Sequence, residues 1–398
     1  MRAYSTAVDD NNPFGLPSPF GSFPPGAFPP GMDLTKLFAG SSGPVNWDVA
    51  LFLAQAMAGD AEARPRWTEV EDDYTELVRA AEVQVTEYTS LSSPTLLTPV
   101  QVVSRAQWAR DHVKAFAPLV EPLAQAMATA QSGDLPPEAA PFANLMQALA
   151  PMMAGAQTGM LVGFLSHHVL GDYDLQLPPP AGSCIVFVAP NLEEAERNLN
   201  VVPRDFRYWL ALREVVRAVE YAQPGVRDEV VALTAEVMAT VEIDPERLAG
   251  LTSIDPSDPA AMQDMFQDPA ALLAGVTSPA QREKIEALEA LTGLIEGYAA
   301  HVLAAVGTDR IGGIAEIESA IARREADSGD VDAQFTEMLG IGLRRGGDVP
   351  GRAFCDTVVA SEGIAALNRV WDGPELRPTR AELDAPSEWI ARVIGRRG

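Results

Sequence analysis

Apolar residues recur at helical intervals along most of this chain, and one short stretch reads instead as a continuous apolar strand. Asn46 stands where it can cap a helix carrying Trp47, Leu51, Phe52 and Ala56 on one face. A second amphipathic segment spans Thr68 to Tyr88. A third runs from Pro99 to Ala130, where Val102, Trp108, His112, Phe116, Leu119 and Leu123 follow the helical period. The loop Ser132–Pro137 leads into an uncharged helix from Ala139 to Ser166, with Gly155, Gly159 and Gly163 at four-residue spacing. Such a run suits either a membrane span with small-residue faces or a buried helix whose glycines admit a close neighbour. Asn144, Gln147, Pro151, Gln157 and the pair His167-His168 favour the buried helix, so no membrane span is expected.

The segment Gly171–Gly182 reads as an irregular connection into the strand Cys184–Ala189. A short helix follows Pro190-Asn191, and Val202–Phe206 forms the turn into a helix running through Tyr208–Tyr221. Loops at Asp255-Pro256 and Asp268-Pro269 interrupt a further helical region. Ser278-Pro279 opens a helix that reaches Val306, with Pro at its first position. Trp371 and Trp389 are expected as late core anchors. The predicted fold is mainly α with a small β element. Residues 1–43 form a Pro/Gly/Phe-rich tail that lacks the donors and stiffness for regular structure and reads as a disordered, passive tail, with a docking motif on its regularly placed phenylalanines as the alternative. Residues 44–398 form the helical domain, divisible into an N-terminal helical part, 44–170, and a part 171–398 that carries the chemistry.

Charge narrows the partners. With 29 basic and 55 acidic residues the net charge is −26, which repels phosphate backbones and argues against a nucleic-acid partner. Two cysteines, Cys184 and Cys355, make no disulfide framework and fit a reducing, cytoplasmic setting; no secretory leader pattern is present. Cys184 reads as a small buried residue. The four histidines are His112, His167, His168 and His301. His112 sits in an apolar stripe and reads as a satisfied core histidine. His168 and Asp172 are spaced i, i+4, while adjacent His167 and His168 cannot aim at one ion from a helix. His301 falls five residues after Glu296 and so off its face. Nucleophile-elbow, phosphate-loop and Cys-x-x-Cys motifs are all missing.

The remaining chemistry lies in Arg213-Glu214-Val215-Val216-Arg217, within the helix that begins near Tyr208. Before it come Val169–Pro180, a strand ending Phe187–Asn191, and Pro203–Leu212; after it come Leu294–Gly307, Asn368–Trp371, Pro374 and a helix with Trp389. This order resembles the actinobacterial zincin-like metallopeptidase family, first catalogued as a domain of unknown function or as inferred hydrolases. The resemblance covers residues 44–398 and implies a helical core with a cleft. It also implies a His-Glu-x-x-His helix and a downstream Glu that hold Zn²⁺, with the motif Glu as general base on a bound water.

Mapped onto this chain, the general-base position is Glu214 and the downstream ligand position is Glu296. Ala300 stands where a second carboxylate would orient a ligand, and both histidine positions are arginine, Arg213 and Arg217. A guanidinium has no lone pair for a metal. The resemblance therefore implies a homologue without its zinc, with no cofactor expected and with activity lost or strongly impaired. Such a protein would use the old substrate cleft to bind a peptide or protein in a regulatory role, the strand Ile185–Val188 offering an edge for an extended ligand. The alternative is a residual hydrolase with Glu214 as base. On an intact helix, Arg213 and Arg217 would both point toward Glu296 and form an Arg–Glu cluster in place of the metal.

Overall fold

The computed structural model describes residues 43–59, 67–91, 100–131, 140–175, 177–180, 184–240, 279–327 and 350–395. The expected N-terminal tail up to residue 42, the loop Ser132–Pro137, and the loops at Asp255-Pro256 and Asp268-Pro269 lie outside the described residues.

Asn46 caps α1 (Trp47–Ala58) by accepting from the backbone N–H groups of Asp48 and Val49, at 3.2 Å each. The helix stops at Gly59, whose φ of +74° suits a residue without a side chain. The second amphipathic segment is α2 (Thr68–Thr89), which buries Tyr74, Val78, Ala81 and Val85 on one helical stripe.

The segment expected to be helical from Pro99 starts instead as a strand. Strand β1 (Val100–Val103) pairs in parallel with β2 (Ile185–Val188), Val100 opposite Ile185 and Val103 opposite Val188. Over four residues the sequence Val-Gln-Val-Val cannot separate a period of 2 from one of 3.6, and its β-branched side chains suit the pleated surface. A partner strand far along the chain decided the matter. Ser104 then caps α3 (Arg105–His112), accepting from Gln107 N–H at 3.1 Å. A 3₁₀ turn (Val113–Phe116) leads to α4 (Ala117–Gln131).

The uncharged helix is α5 (Ala140–Leu165), and its glycines meet α1. A Cβ at Gly155 would stand 2.2 Å from the Asn46 carbonyl oxygen, and one at Gly159 would stand 2.4 Å from that of Ala50. One at Gly163 would stand 2.4 Å from Met57 Cβ. The four-residue spacing therefore cuts a groove that holds the α1 backbone. By length and composition alone, Gln147–Leu165 and Gln281–Gly307 are apolar enough to cross a membrane; in this fold 72% of the second window is buried among other helices.

Strand β2 lies between β1 and the chain preceding it. Val188 N–H donates to the Leu170 carbonyl at 2.9 Å, and Gly171 bridges Phe187 in antiparallel fashion. All four β2 residues are buried. The edge expected to receive an extended peptide is thus occupied by the protein's own backbone.

The strand is followed by α6 (Ala189–Asn198) and α7 (Pro203–Tyr221), with Pro203 at the first helical position. After α8 (Val226–Ala239) come α9 (Pro279–Gly307), α10 (Ile314–Asp327) and α11 (Pro350–Glu362). Short helices α12 (Ile364–Leu367), α13 (Arg380–Asp384) and α14 (Pro386–Val393) close the described chain. Trp371 and Trp389 are buried as expected, and Trp389 Nε1–H donates to the Leu376 carbonyl at 2.7 Å.

The small sheet divides two apolar cores. Val100, Val102, Ile185 and Phe187 face the larger one, with α2, α7, α9 and α11. Val103, Val186 and Val188 face the smaller one, with α1, α3 and α5. The alternation of a strand sends successive side chains to opposite cores, so even this short sheet is apolar on both faces.

Candidate functional site on the central helix

Helix α7 is buried over most of its circumference from Phe206 to Tyr221. Charged side chains on such a helix must find partners, because desolvating an isolated charge is strongly unfavourable. Glu214, Arg217 and Glu220 are all buried there.

Arg217 Nη2 is ion-paired with Glu296 of α9, and its Nη1 lies 4.0 Å from Glu220 Oε2. Arg213 does not join it. Its Nη2 is ion-paired with Asp174 from the connection before β2, and its guanidinium carbon lies 5.3 Å from the centre of the Trp209 ring. Residues four apart on a helix are offset by about 40°, enough for each guanidinium to take a different carboxylate. The expected Arg–Glu cluster is therefore two linked pairs, with Glu296 serving Arg217 alone.

Glu214 lies between these pairs. Its Oε2 accepts from Tyr173 N–H at 3.1 Å, while Oε1 is buried without a hydrogen bond, 3.8 Å from Arg213 Nη2. Burial pushes its pKa up from the usual 4.5 to about 7; the Arg213 charge opposes that rise and the nearby Asp172 adds to it. Burial also holds Glu220 well above the carboxylate range, against the pull of Arg217. Neither Glu220 oxygen has a hydrogen-bond partner. For Arg217 burial disfavours the cation, but the Glu296 and Glu220 carboxylates outweigh it and raise its pKa above the ordinary guanidinium value. Two fixed cations thus face two paired carboxylates, Asp174 and Glu296, while burial raises the pKa of the two sealed carboxyls, Glu214 and Glu220.

The segment Leu170–Asp174 forms the other wall. Leu170 N–H donates to the Asp174 carboxylate, which fixes the group that meets Arg213. Tyr173 stacks on Tyr221 with ring centres 5.7 Å apart. Asp172 turns away from this site and contacts His112 Nε2 at 2.9 Å. His112 Nδ1 lies 2.9 Å from the Trp108 carbonyl, and its ring stacks on Trp108. His112 is a buried core histidine, as its stripe suggested, with Nδ1 on the backbone and Nε2 against the Asp172 carboxylate. Its partner is the Asp172 that sequence spacing had set beside His168, whereas His168 Nδ1 lies 3.0 Å from the Phe164 carbonyl. His301 sits off the Glu296 face, between Asp356 at 2.6 Å and the Tyr88 hydroxyl at 2.7 Å.

Sequence reasoning missed Asp174 and Glu220. Glu220 carried a signal, since an acidic residue three positions after Arg217 on an apolar helix lies beside it. Asp174 carried none, because its contact depends on how an irregular segment folds over α7.

The donor set does not suit a zinc ion. The two positions one turn apart on α7 carry guanidiniums without lone pairs, each already bound to a carboxylate. Ala300, one turn beyond Glu296, offers only a methyl group. Among the described residues no group of three or more His, Cys, Asp or Glu side chains is placed to hold a metal ion.

A family model described as zincin-like metallopeptidase matches residues 45–390. Among solved structures, the chain is similar to a protein from Chloroflexus aurantiacus described as a "putative hydrolase with a novel fold". The identity is 27%, the TM-score is 0.65, and the match covers 89% of this chain and 100% of that one. No curated protein matches. A mainly helical fold, a two-stranded parallel sheet and a family match over nearly all of the described chain agree: the protein belongs to the zincin-like metallopeptidase family.

Proposed function

We propose that this chain is a non-catalytic member of its family that acts by binding a peptide or protein, in a regulatory role, rather than by hydrolysis. The observation that carries this reading is the ion pair of Arg217 with Glu296. In the family pattern, an imidazole and a carboxylate at these positions would share a metal. Here one of the two is a cation, and the attraction between them does what a shared metal would otherwise do. The pair of Arg213 with Asp174 supports the same reading at the other histidine position. At this site the Glu296 side chain is 26% exposed and that of Arg213 15%, so a ligand approaching from solvent would meet these two side chains first.

A residual hydrolase has one observation in its favour, because a carboxyl titrating near 7 is tuned as a general base should be. Against it, Glu214 is fully buried and held by Tyr173, and a guanidinium does not activate water as zinc does. Elemental mass spectrometry of the purified full chain, equilibrated with zinc and dialysed, tests the proposal together with a peptidase assay. The expected result is no stoichiometric metal and no hydrolysis, with zinc content rising toward about one per chain in the variant Arg213→His/Arg217→His. One zinc held by the native chain, or hydrolysis abolished by a chelator, would overturn it.

A further inference from the structure

Tyr88 of α2, His301 of α9 and Asp356 of α11 meet at one place, and none of them belongs to α7. His301 Nδ1 lies 2.6 Å from Asp356 Oδ1, and its Nε2 lies 2.7 Å from the Tyr88 hydroxyl. A carboxylate can only accept, so Nδ1 carries the ring proton and Nε2 of the neutral imidazole accepts from Tyr88 O–H. The ring is thus held by one group while it receives the hydrogen bond of another. An orienting carboxylate, a base and a nucleophile stand in this relation to one another.

Packing brings the three groups together. A Cβ at Gly297 of α9 would stand 2.5 Å from the Arg352 backbone nitrogen of α11, so the two backbones touch there. His301 and Asp356 each lie about one turn further along, where their side chains meet. The end of α2 is fixed as well: the Asn368 amide donates to the Thr89 carbonyl at 2.6 Å and accepts from the Tyr298 hydroxyl at 2.8 Å. Arg352 Nε stands 3.6 Å from the second Asp356 oxygen. The Asp356 side chain is 51% exposed and Tyr88 is half-buried, so the array lies at the edge of the core. Burial, and then the Asp356 and Cys355 charges, raise the Tyr88 pKa above its usual 10, so the hydroxyl keeps its proton until a base takes it.

We propose that Tyr88 is an acyl-accepting nucleophile, with His301 as its general base and Asp356 as the group that positions the imidazole. The Tyr88 oxygen attacks the acyl carbon of a donor while its proton passes to His301 Nε2. The bond from that carbon to the leaving group then breaks, and the leaving group takes the proton from His301. A tyrosine hydroxyl and R–CO–X thus become the tyrosine ester O–CO–R and H–X. Transfer to a phenol oxygen needs a leaving group no more basic than a phenoxide. Thioesters and aryl esters meet that condition, since a thiol titrates at about 8.5 and a phenol at about 10, whereas alkyl esters and amides do not. The site is therefore no peptidase, and it shares no residue with the α7 ion pairs on which the proposed binding function rests.

Tyr208 supplies an internal reference, because it is half-buried too but its hydroxyl donates to an amide oxygen, Gln84 Oε1, at 2.6 Å. The test treats the full chain with p-nitrophenyl acetate and follows acetylation of each tyrosine by peptide mass spectrometry. Tyr88 is expected to be acetylated about 100-fold faster than Tyr208, the worth of a positioned base, and ethyl acetate is expected to modify neither. His301→Gln should remove most of that lead. With pH, the native Tyr88 rate should level off once the imidazole is neutral, whereas in His301→Gln it should climb about tenfold per pH unit with the phenolate fraction. Asp356→Asn, a change at a half-exposed side chain, should lower the native plateau without abolishing it. Equal rates at Tyr88 and Tyr208 in the native chain, a comparison that needs no variant, would overturn the proposal. So would acetyl found on His301 instead of Tyr88, or a native pH profile that climbs as the His301→Gln profile does.

Discussion

Gly171 lies directly against the Glu214 carboxyl: a Cβ at position 171 would stand 2.6 Å from Glu214 Cδ and 2.7 Å from its Oε2. The φ of Gly171 is not in the left-handed region, so space rather than backbone conformation requires the glycine. Gly171→Ala is expected to displace the carboxyl from Tyr173 N–H and to destabilise the fold by about 1–3 kcal/mol, read by urea denaturation. In a Glu214→Ala background the same substitution should have much less effect, because the clashing atoms are gone. An equal effect in both backgrounds would show that the close approach to Glu214 is not what position 171 senses.

The raised pKa of Glu214 makes a pH dependence of definite sign. Below about pH 4.5 the carboxyl is protonated in both the folded and unfolded chain, and its contribution is fully present. As pH rises from about 4.5 to about 7 the unfolded chain ionises while the folded one keeps its proton, so stability falls across that window, by up to about 3 kcal/mol from this group. Glu220, raised by burial as well, acts in the same direction. Glu214→Gln removes the titration, so its stability relative to the native chain should improve between about pH 5 and about pH 8. A difference that stays constant over that range would mean that Glu214 does not titrate there.

Arg217 is buried between two carboxyls, so removing it leaves them without a counter-charge. Arg217→Ala should destabilise by about 3–5 kcal/mol, the range for breaking a buried pair. Arg217→Met, which fills the space without the charge, should be milder when combined with Glu296→Gln than alone. A double-mutant cycle between positions 217 and 296 is expected to give a coupling of about 0.5–3 kcal/mol, toward the lower end because Glu296 is partly exposed. A coupling within error of zero would remove the ion pair from the list of forces holding α7 to α9.

Packing of α1 on α5 can be tested at Gly159. In an isolated helix Ala is favoured over Gly by about 1 kcal/mol. Here a Cβ would stand 2.4 Å from the Ala50 carbonyl oxygen, and backbone cannot yield as a flexible side chain can. Gly159→Ala is therefore expected to lower the thermal midpoint despite the better propensity. A raised midpoint would mean that the two helices are farther apart than this packing requires.

What the chain determined by itself was local. The Asn46 cap, the stripes of α1 and α2, the start of α9 at Pro279 and the burial of Trp371 and Trp389 follow from propensity, periodicity and capping, which act over a few residues. The helical placing of Glu214 between Arg213 and Arg217 was legible for the same reason, as were the glycines of α5 as a packing face. Tertiary structure decided whatever needed a distant partner. Val100–Val103 became a strand only because Ile185–Val188 supplies its hydrogen bonds. The outer edge of that second strand was lost to Leu170–Gly171. Arg213 found Asp174 instead of Glu296, and Asp172 found His112 instead of His168, because irregular backbone set the distances between those charges. Short-range periodicity fixes which way a helix faces; which charge stands opposite depends on how separate segments pack, and no spacing along the chain encodes that distance.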